Sequence, residues 1–381
     1  MKSIQQTFSV PFTYTVHFTE DVFNKKNPLL AEVLESSGTG RAFFVIDEGV
    51  VKAHPLLLDK IRNYARTHPN NLVLLGDPLV VPGGEKVKND RRYVDQILKA
   101  ADTLAIDRHS FIVAIGGGAV LDMAGFASAI AHRGIRLIRI PTTVLAQNDS
   151  GIGVKNSINA YNKKNFLGTF APPFSVINDP AFLETLSSRD WCSGISEAVK
   201  VALIKDSGFF QWIEVRTKEL TSRDLPIMQE LIYRCAQMHL DHIAGGDPFE
   251  SGSSRPLDFG HWAAHKLEQL SRYELRHGEA VAIGICLDAT YSHLDGLITE
   301  QALKRIILLF KRLGFPLYIP ELAGENILDG LEEFREHLGG ELTIMLLADI
   351  GRGTEVHQMD TTMVLDAVKK LQEFEDNDFV A

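Results

Sequence analysis

The chain has 381 residues, 45% of them hydrophobic and 23% charged, which is ordinary for a globular protein and long enough for two domains with a sizeable core. Its formal net charge of -10 argues against nucleic-acid or membrane-surface binding through general electrostatics. Three widely spaced cysteines exclude a disulfide framework and a four-cysteine zinc site, and without a signal-peptide core or an apolar run of about 18 residues we expect an enzyme-sized cytoplasmic protein.

The first half of the chain alternates short apolar runs with helix-spaced segments. Buried strands that end in turn residues are predicted at 41–50, 71–77, 110–118, 135–143 and 174–180. Residues 90–105 carry apolar side chains at helical spacing. This alternation predicts an α/β domain with a mostly parallel, Rossmann-like sheet and helices on both faces.

Three consecutive glycines, Gly116–Gly118, separate the third predicted strand from a helix. Glycines at such a turn let backbone amides approach a phosphate at a helix N-terminus, although a tight turn without a ligand is the plainer alternative. Asp122 lies one turn into the helix, and Asp47 closes an earlier strand where a ribose-binding acid is expected. Thr142 and Thr143 end the next strand at the same sheet edge. Together these features favour a site that binds a dinucleotide.

A basic segment follows in this acidic protein, because no Asp or Glu occurs between residues 150 and 178. Its lysines are Lys155, Lys163 and Lys164. With Asn165 and nearby glycines they suit a phosphate group, and Arg133 at the end of the preceding helix is a further candidate cation. A solvated loop is the alternative.

Beyond residue 187 the pattern becomes helical. Helices are predicted at 193–214, 225–244, 260–271, 278–296 and 299–314. We therefore predict two domains, an α/β domain at 1–187 and an all-α domain at 188–381.

Histidines cluster in the second domain, where a catalytic zinc site with two histidines and one carboxylate is one possibility. The five histidines are His239, His242, His261, His265 and His277, and the candidate carboxylates are Glu197, Asp247, Asp258 and Glu279. Spacing does not choose among them, because His261 and His265 form a weak H-x-x-x-H motif. His239 and His242 are equally compatible with a helix surface.

Several of these motifs occur in the order found in one family. The stretch from "GGGAVLDMAGFASAIAHRG" through "NKKNFLGTF", followed by "SGISEAVKVALIKD", "LDFGHWAAHKLE" and "HGEAVAIG", closely resembles 3-dehydroquinate synthases and the wider sugar phosphate cyclase superfamily. The resemblance runs from about Asp47 to Gly284 and is less distinct in the first forty residues and beyond residue 290. It implies an N-terminal NAD domain, a helical metal-binding domain, a homodimer and one divalent metal, usually zinc, with cobalt as an alternative.

The resemblance also implies roles for individual residues. The metal ligands would be Glu197, His261 and His277, with Lys200 facing the same site and His265 contacting substrate. Asp149, Lys155, Lys164 and Asn165 match positions that serve substrate and nucleotide, and Arg133 matches a residue that reaches the neighbouring subunit's phosphate site. The positions that match the NAD-binding set are Asp47, Glu85, Lys88, Gly116, Gly117, Gly118, Asp122, Thr142, Thr143, Lys155, Lys164, Phe182, Thr185 and Leu186.

The reaction that the resemblance implies is a cycle of several steps on a phosphorylated sugar or sugar acid. Transient oxidation by NAD is followed by phosphate elimination, return of the hydride, ring opening and an intramolecular aldol closure. The metal acts as a Lewis acid and the lysines stabilise the departing phosphate.

The sequence departs from the family where the substrate's carboxylate is held. Family members carry an arginine seven residues before the first histidine ligand, where this chain has Ser254 with Arg255 beside it, and Asp258 replaces an asparagine. A family lysine lies about where this chain has His239. The distal lysine motif is replaced by a segment in which Arg335 or His337 is a candidate substitute.

We expect that the cyclase chemistry is kept and that the substrate lacks the carboxylate. One alternative is a divergent 3-dehydroquinate synthase in which Arg255 replaces the missing arginine. An alternative of another class is a metal-dependent polyol or glycerol-phosphate dehydrogenase, which consumes NAD as a co-substrate. A paralogue that only binds nucleotide is disfavoured by the intact set of Glu197, His261, His277, Lys155 and Lys200.

Overall fold

The computed structural model describes residues 2–36, 38, 40–161, 163–249, 256–338 and 340–377. These residues form two compact units. The first unit contains the described residues up to Pro141 together with Val154–Asp179, and the second contains Thr142–Gly153 together with those from Pro180 onward. The chain passes between the units after residues 141, 153 and 179, so residues 142–153 and 180–187, which were expected in the first domain, lie in the second unit.

Parallel strands form the main sheet of the first unit. They are β1 (Thr15–Phe18), β2 (Arg41–Asp47), β3 (Val73–Leu74), β4 (Leu79–Val81), β5 (Phe111–Gly116), β6 (Arg136–Pro141) and, after a hairpin described below, β9 (Ser175–Asn178). Their order is β1-β9-β6-β5-β2-β3, with β4 also pairing with β2. The helices of this unit are α1 (Leu29–Glu35), α2 (Glu48–Ala53), α3 (Leu57–Thr67), α4 (Arg92–Thr103) and α5 (Gly118–Ile130).

The predicted fold class is confirmed by this parallel sheet with its connecting helices. All six residues of β5 are buried, as expected for a central strand of a parallel sheet. Two short strands, β1 and β4, were not predicted, because each is only three or four residues long. The register pairs Ile46 with Ile115 and Gly116 with Pro141, which aligns the carboxyl ends of β2, β5 and β6.

The basic segment is a β-hairpin and not a loop, which corrects one of the alternatives considered for it. Strands β7 (Lys155–Ala160) and β8 (Lys163–Phe170) pair in antiparallel register. Polar and apolar residues mix along both strands, so the sequence lacks the clean alternation that would have identified them.

Helices dominate the second unit. They are α6 (Ser188–Ser193), α7 (Ile195–Lys205), α8 (Ser207–Val215), α9 (Thr217–Thr221), α10 (Leu225–Ala244), α11 (His261–Leu270), α12 (His277–Leu294), α13 (Glu300–Arg312), α14 (Asp329–His337) and α15 (Thr361–Asp376). Their apolar faces meet in one large core in which α7 and α12 are almost completely buried.

Two features of the second unit add to the helical prediction. A small antiparallel sheet joins β10 (Ile344–Asp349) to β11 (Arg352–Val356), and a π-helical turn spans Ala146–Ser150. Within the described part of the chain, none of the helices combines the length and apolar character required to cross a bilayer.

Candidate active site

Three metal-ligating side chains from three different helices meet in the second unit. Glu197 lies on α7, His261 is the first residue of α11 and His277 is the first residue of α12. One ligand atom from each lies within 4.8 Å of the others. Helix starts suit this purpose, because a side chain there projects beyond the packed helix body while its backbone is fixed by the first turn.

The Glu197 carboxylate is completely buried and forms an ion pair with Lys200, one helical turn later. Its Oε1 atom lies 3.8 Å from Nε2 of His261 and 3.6 Å from Nε2 of His277, distances too long for hydrogen bonds. Neither carboxylate oxygen meets hydrogen-bond geometry with a donor of the described residues. A buried carboxylate facing two imidazoles in this way fits a divalent cation, and Glu–His–His is a known ligand set for catalytic zinc.

The protonation states also suit a cation. Burial, assisted by the charge of Lys200, lowers the pKa of His261 well below its usual value, so its imidazole is neutral at neutral pH. Burial alone would raise the pKa of Glu197, but Lys200 lowers it and keeps the carboxylate ionised. Burial opposes the charge of Lys200, but Glu197 and Asp149 together raise the pKa of this lysine.

The other side of the His277 ring contacts an acid that the sequence did not indicate. Nδ1 of His277 lies 3.2 Å from Oε2 of Glu268, which is buried on α11. A carboxylate on the far nitrogen fixes the ring and its tautomer and raises the basicity of a metal-binding histidine. Glu268 was hidden in the sequence because it looked like a polar position of an amphipathic helix.

His239 is buried and paired with Asp149, which rules out a helix-surface position, one of the alternatives considered for it. Its Nε2 atom lies 3.0 Å from Oδ1 of Asp149, and its Nδ1 atom lies 2.9 Å from the carbonyl oxygen of Cys235. Burial opposes ionisation of both groups, but each charge stabilises the other, so the pKa of His239 is raised and that of Asp149 is lowered. Lys200 and His261 also act to lower the pKa of Asp149.

His265 belongs to the same group of rings. Its ring centroid is 5.5 Å from that of His261 and 6.1 Å from that of His277. Of the two histidines in the H-x-x-x-H motif, His261 therefore belongs to the predicted ligand set and His265 lies beside it. Asp258, near the start of α11, contributes negative charge at Lys200.

Other candidates from the sequence have different surroundings. Asp247 is exposed, and Glu279 forms an ion pair with Arg189. Arg335 pairs with Glu332 at 2.6 Å. Ser254, Arg255 and the side chain of His337 lie outside the described residues.

In the first unit the parallel register places Asp47 beside the glycine turn. A side-chain carbon on Gly116 would lie 2.9 Å from Cβ of Val120 and 3.1 Å from Cβ of Asp47, so a larger residue there would displace its neighbours. The Asp47 carboxylate accepts a hydrogen bond of 2.7 Å from the amide of Gly49. Burial raises the pKa of Asp47, although this hydrogen bond acts to lower it. Gly117 then caps α5, whose N-terminus begins at Gly118.

A second polar cluster in this unit surrounds Lys88, which is buried. Its ammonium group donates hydrogen bonds to Asp122 at 2.7 Å, to Ser157 at 3.1 Å and to the side-chain oxygen of Asn165. Asn165 has φ +55°, a left-handed conformation that asparagine tolerates better than most residues. Helix α5 and both strands of the hairpin therefore supply acceptors to one ammonium group.

The three lysines of the basic segment lie at opposite ends of the hairpin. Lys163 and Lys164 lie at its turn, where Lys164 is 3.5 Å from Glu85, and Lys155 begins β7 at the other end. Five residues of extended strand separate their backbones by about 17 Å.

The remaining predicted residues are distributed between the units. Arg133 is exposed in the first unit with φ +63°. Thr142, Thr143, Phe182, Thr185 and Leu186 belong to the second unit. The Thr185 hydroxyl donates to the carbonyl oxygen of Phe182 at 3.3 Å.

Comparisons of the sequence with known proteins identify one family. The family model for the 3-dehydroquinate synthase N-terminal domain matches residues 78–193, and the model for the C-terminal domain matches residues 194–334. The 3-dehydroquinate synthase of Nitrosospira multiformis is 37% identical over 301 residues, which cover 79% of this chain and 81% of that protein.

Two solved structures extend the similarity to almost the whole chain. A 2-epi-5-epi-valiolone synthase from Streptomyces hygroscopicus subsp. jinggangensis, with NAD+ and Zn2+ bound, has a TM-score of 0.89 and 28% identity, covering 97% of this chain and 99% of that one. A 2-deoxy-scyllo-inosose synthase complexed with carbaglucose-6-phosphate, NAD+ and Co2+ has a TM-score of 0.78 and 23% identity, covering 93% and 96%.

Proposed function

Because this chain belongs to the 3-dehydroquinate synthase family, we propose that it is an NAD- and divalent-metal-dependent sugar phosphate cyclase whose substrate lacks the carboxylate of the usual one. The observation that carries the proposal is the buried group of Glu197, His261 and His277 with Lys200 beside it. It supplies a zinc-type ligand set together with a cation, in the fold that the comparisons identify.

We assign the metal to Glu197, His261 and His277. When bound, a divalent metal supplies Lewis-acid polarisation of a substrate oxygen. Glu268 orients His277, and the burial of His261 keeps its imidazole neutral and able to bind. Lys200 neutralises charge at Glu197, and His265 is placed by its ring neighbours to contact substrate.

The charge around Lys200 supports a substrate without a carboxylate. Glu197, Asp149 and Asp258 all place negative charge near this lysine. Lys200 and His239 are each already paired with a carboxylate, Glu197 and Asp149 respectively. An additional carboxylate in this surrounding would have to compete with existing ion pairs, so a neutral polyhydroxy chain is the better match.

We assign nucleotide binding to the glycine turn and its neighbours in the first unit. Asp47 is suited to ribose hydroxyls, and the amides of Gly117 and Gly118 at the start of α5 are suited to a pyrophosphate. When bound, NAD supplies a hydride acceptor that is regenerated within the cycle. Lys155, Lys164 and Asn165 are candidates for holding phosphate groups, because they provide cations and an amide donor in an acid-free segment. Arg133, which precedes that segment, is a further candidate cation.

A second candidate is 3-dehydroquinate synthase activity itself, which is favoured by the 37% identity to a member of that class. A homodimer and a cytoplasmic location stay predictions.

The test is inorganic phosphate release from purified protein supplied with NAD and Zn2+ or Co2+. We expect release without net change in nicotinamide absorbance, abolished by a chelator and restored by metal. A stoichiometric rise in reduced nicotinamide would instead identify a dehydrogenase, and no phosphate release from any sugar phosphate would overturn the proposal.

A further inference from the structure

Asp288, a carboxyl group that the proposed chemistry does not use, is completely buried in the middle of α12. Its Oδ2 atom accepts a hydrogen bond of 2.9 Å from the backbone amide of Gly260, and its Oδ1 atom accepts one of 2.8 Å from the indole nitrogen of Trp262. These two donors belong to the residues on either side of His261. One carboxyl group therefore fixes the backbone before this histidine and the side chain after it.

The packing around this contact leaves little freedom. Gly260 has φ +79°, and a side-chain carbon there would lie 2.5 Å from the backbone nitrogen of Ile285 on α12. A side-chain carbon on Gly284 would lie 2.1 Å from the carbonyl oxygen of Gly260. The start of α11 thus rests directly on the backbone of α12, and Asp288 lies one helical turn beyond Gly284 on that helix.

The ring of His261 is oriented at the same place. Its Nδ1 atom lies 3.3 Å from the carbonyl oxygen of Phe259, which directs Nε2 towards Glu197. Phe259 therefore orients the imidazole of His261. The two residues on either side of this histidine, Gly260 and Trp262, are held on α12. Trp262 and Asp288 lie on different helices and contact neither Glu197 nor His277 in any interaction described above.

We propose that Asp288 and Trp262 form a clamp that positions His261 for metal binding. The inference rests on the proposed function, because it assumes that His261 is a ligand. It assigns Asp288 a positioning role, since this carboxyl group acts through Gly260 and Trp262 and does not face the ligand atoms.

Two variants separate the two hydrogen bonds. The side chain of Asp288→Asn has one oxygen, which can replace only one of the two carboxylate acceptors. Its NH2 group then faces the remaining N–H donor, so two buried donors meet without an acceptor. Trp262→Phe removes the indole donor and leaves the bond to Gly260. In the double variant the carbonyl oxygen of the asparagine can serve Gly260, so we expect its loss to be smaller than the product of the two single losses.

The measurement is the Co2+ dissociation constant of the folded full-length protein, by competition with a chelator, together with the visible absorption of bound Co2+. We expect Asp288→Asn to weaken Co2+ binding about tenfold or more and to change the Co2+ spectrum. Trp262→Phe should have a smaller effect of the same kind. The control is Thr290→Val on α12, which removes a buried hydrogen bond of 2.7 Å to the carbonyl oxygen of Cys286 and should leave Co2+ affinity within twofold.

The outcomes separate the clamp from the proposed function. If the wild-type protein does not bind Co2+, the assignment of the metal site itself fails. If it binds Co2+ and both variants fold with an unchanged dissociation constant and spectrum, Asp288 only stabilises the packing of α11 on α12 and the clamp is overturned. If Asp288→Asn does not fold, Trp262→Phe alone decides, because an unchanged Co2+ affinity in that variant contradicts the clamp.

Discussion

Lys88 in the first unit and Lys200 in the second are buried to the same degree, with 3% of each side chain exposed, but their partners differ. Lys88 has one carboxylate, Asp122, and two neutral acceptors, Ser157 and Asn165. Lys200 lies among the carboxylates Glu197, Asp149 and Asp258. The first cluster is balanced by its own hydrogen bonds, whereas the second places three carboxylates against two cations, Lys200 and His239. An excess of this kind in a buried place indicates a cation-binding site.

The largest effect that this comparison predicts is the loss of metal in Glu197→Gln. An amide removes the charge that faces His261 and His277, so we expect metal affinity to fall about 100-fold or more and phosphate release about 1,000-fold. Metal content by elemental analysis and phosphate release measure the two effects. Glu279→Gln is the matched control, because its carboxylate is buried nearby but paired with Arg189, and it should retain the metal. Equal metal content in both variants would contradict the assignment of Glu197.

The next effect concerns stability with the metal chelated. Lys200→Met leaves the fully buried carboxylate of Glu197 without its cation and should lower the free energy of unfolding by about 3–5 kcal/mol. Lys88→Met leaves a partly exposed Asp122 and neutral groups, so we expect a loss of about 1–3 kcal/mol. Chemical denaturation measures both, with Lys52→Met as a control, because that lysine is 72% exposed. A larger loss in Lys88→Met would reverse the comparison.

Asp288 predicts a pH dependence of stability that Asp288→Asn should lack. Burial raises the pKa of Asp288 to about 7, whereas in the unfolded chain it ionises near its ordinary value. Between about pH 4 and 7 the folded protein holds a proton that the unfolded chain releases, so this group makes stability fall with rising pH by at most about 1.4 kcal/mol per pH unit. We expect the difference in unfolding free energy between wild type and variant to fall through this window and to be flat above it. A constant difference would contradict the raised pKa.

The smallest effect is expected at the pair of His239 and Asp149. The raised pKa of His239 means that its stabilising charge is fully present below the unfolded value near 6.5 and is lost as the pH rises through the raised value. The lowered pKa of Asp149 means that its contribution is lost under strongly acidic conditions. The advantage of wild type over His239→Gln, about 1–3 kcal/mol, should therefore be greatest between about pH 4 and 6.5. Denaturation at pH 5.5 and pH 9 tests this, and equal differences at the two values would show that the pair is not ionic.

Much of the fold was readable from the sequence because the strands of a buried parallel sheet are continuous apolar runs and the long helices have clear periodicity. The bounds predicted for α10, 225–244, are those observed. Short strands and the basic hairpin were missed, since three or four residues carry no period and the hairpin mixes polar and apolar residues.

The candidate site was only partly readable, because its residues meet through tertiary packing. Spacing could not choose among four carboxylates for the metal; the motif resemblance and the fold both select Glu197. Glu268 was missed because it looks like an ordinary helix position until its partner is known. His239 was a candidate, but its pairing with Asp149 had no signal in the sequence. For Asp288 the one signal was an acid within the apolar run of α12, where a charge needs a buried donor.

The most direct measurement compares phosphate release from two matched substrates, a seven-carbon 2-keto acid phosphate and a neutral sugar phosphate of the same chain length, at saturating NAD and metal. We predict that both activities are lost on chelation and that kcat/KM is higher for the neutral substrate. A substrate carboxylate would have to compete with the existing ion pairs of Lys200 with Glu197 and of His239 with Asp149. A strong preference for the acid would contradict the proposal and identify a divergent 3-dehydroquinate synthase.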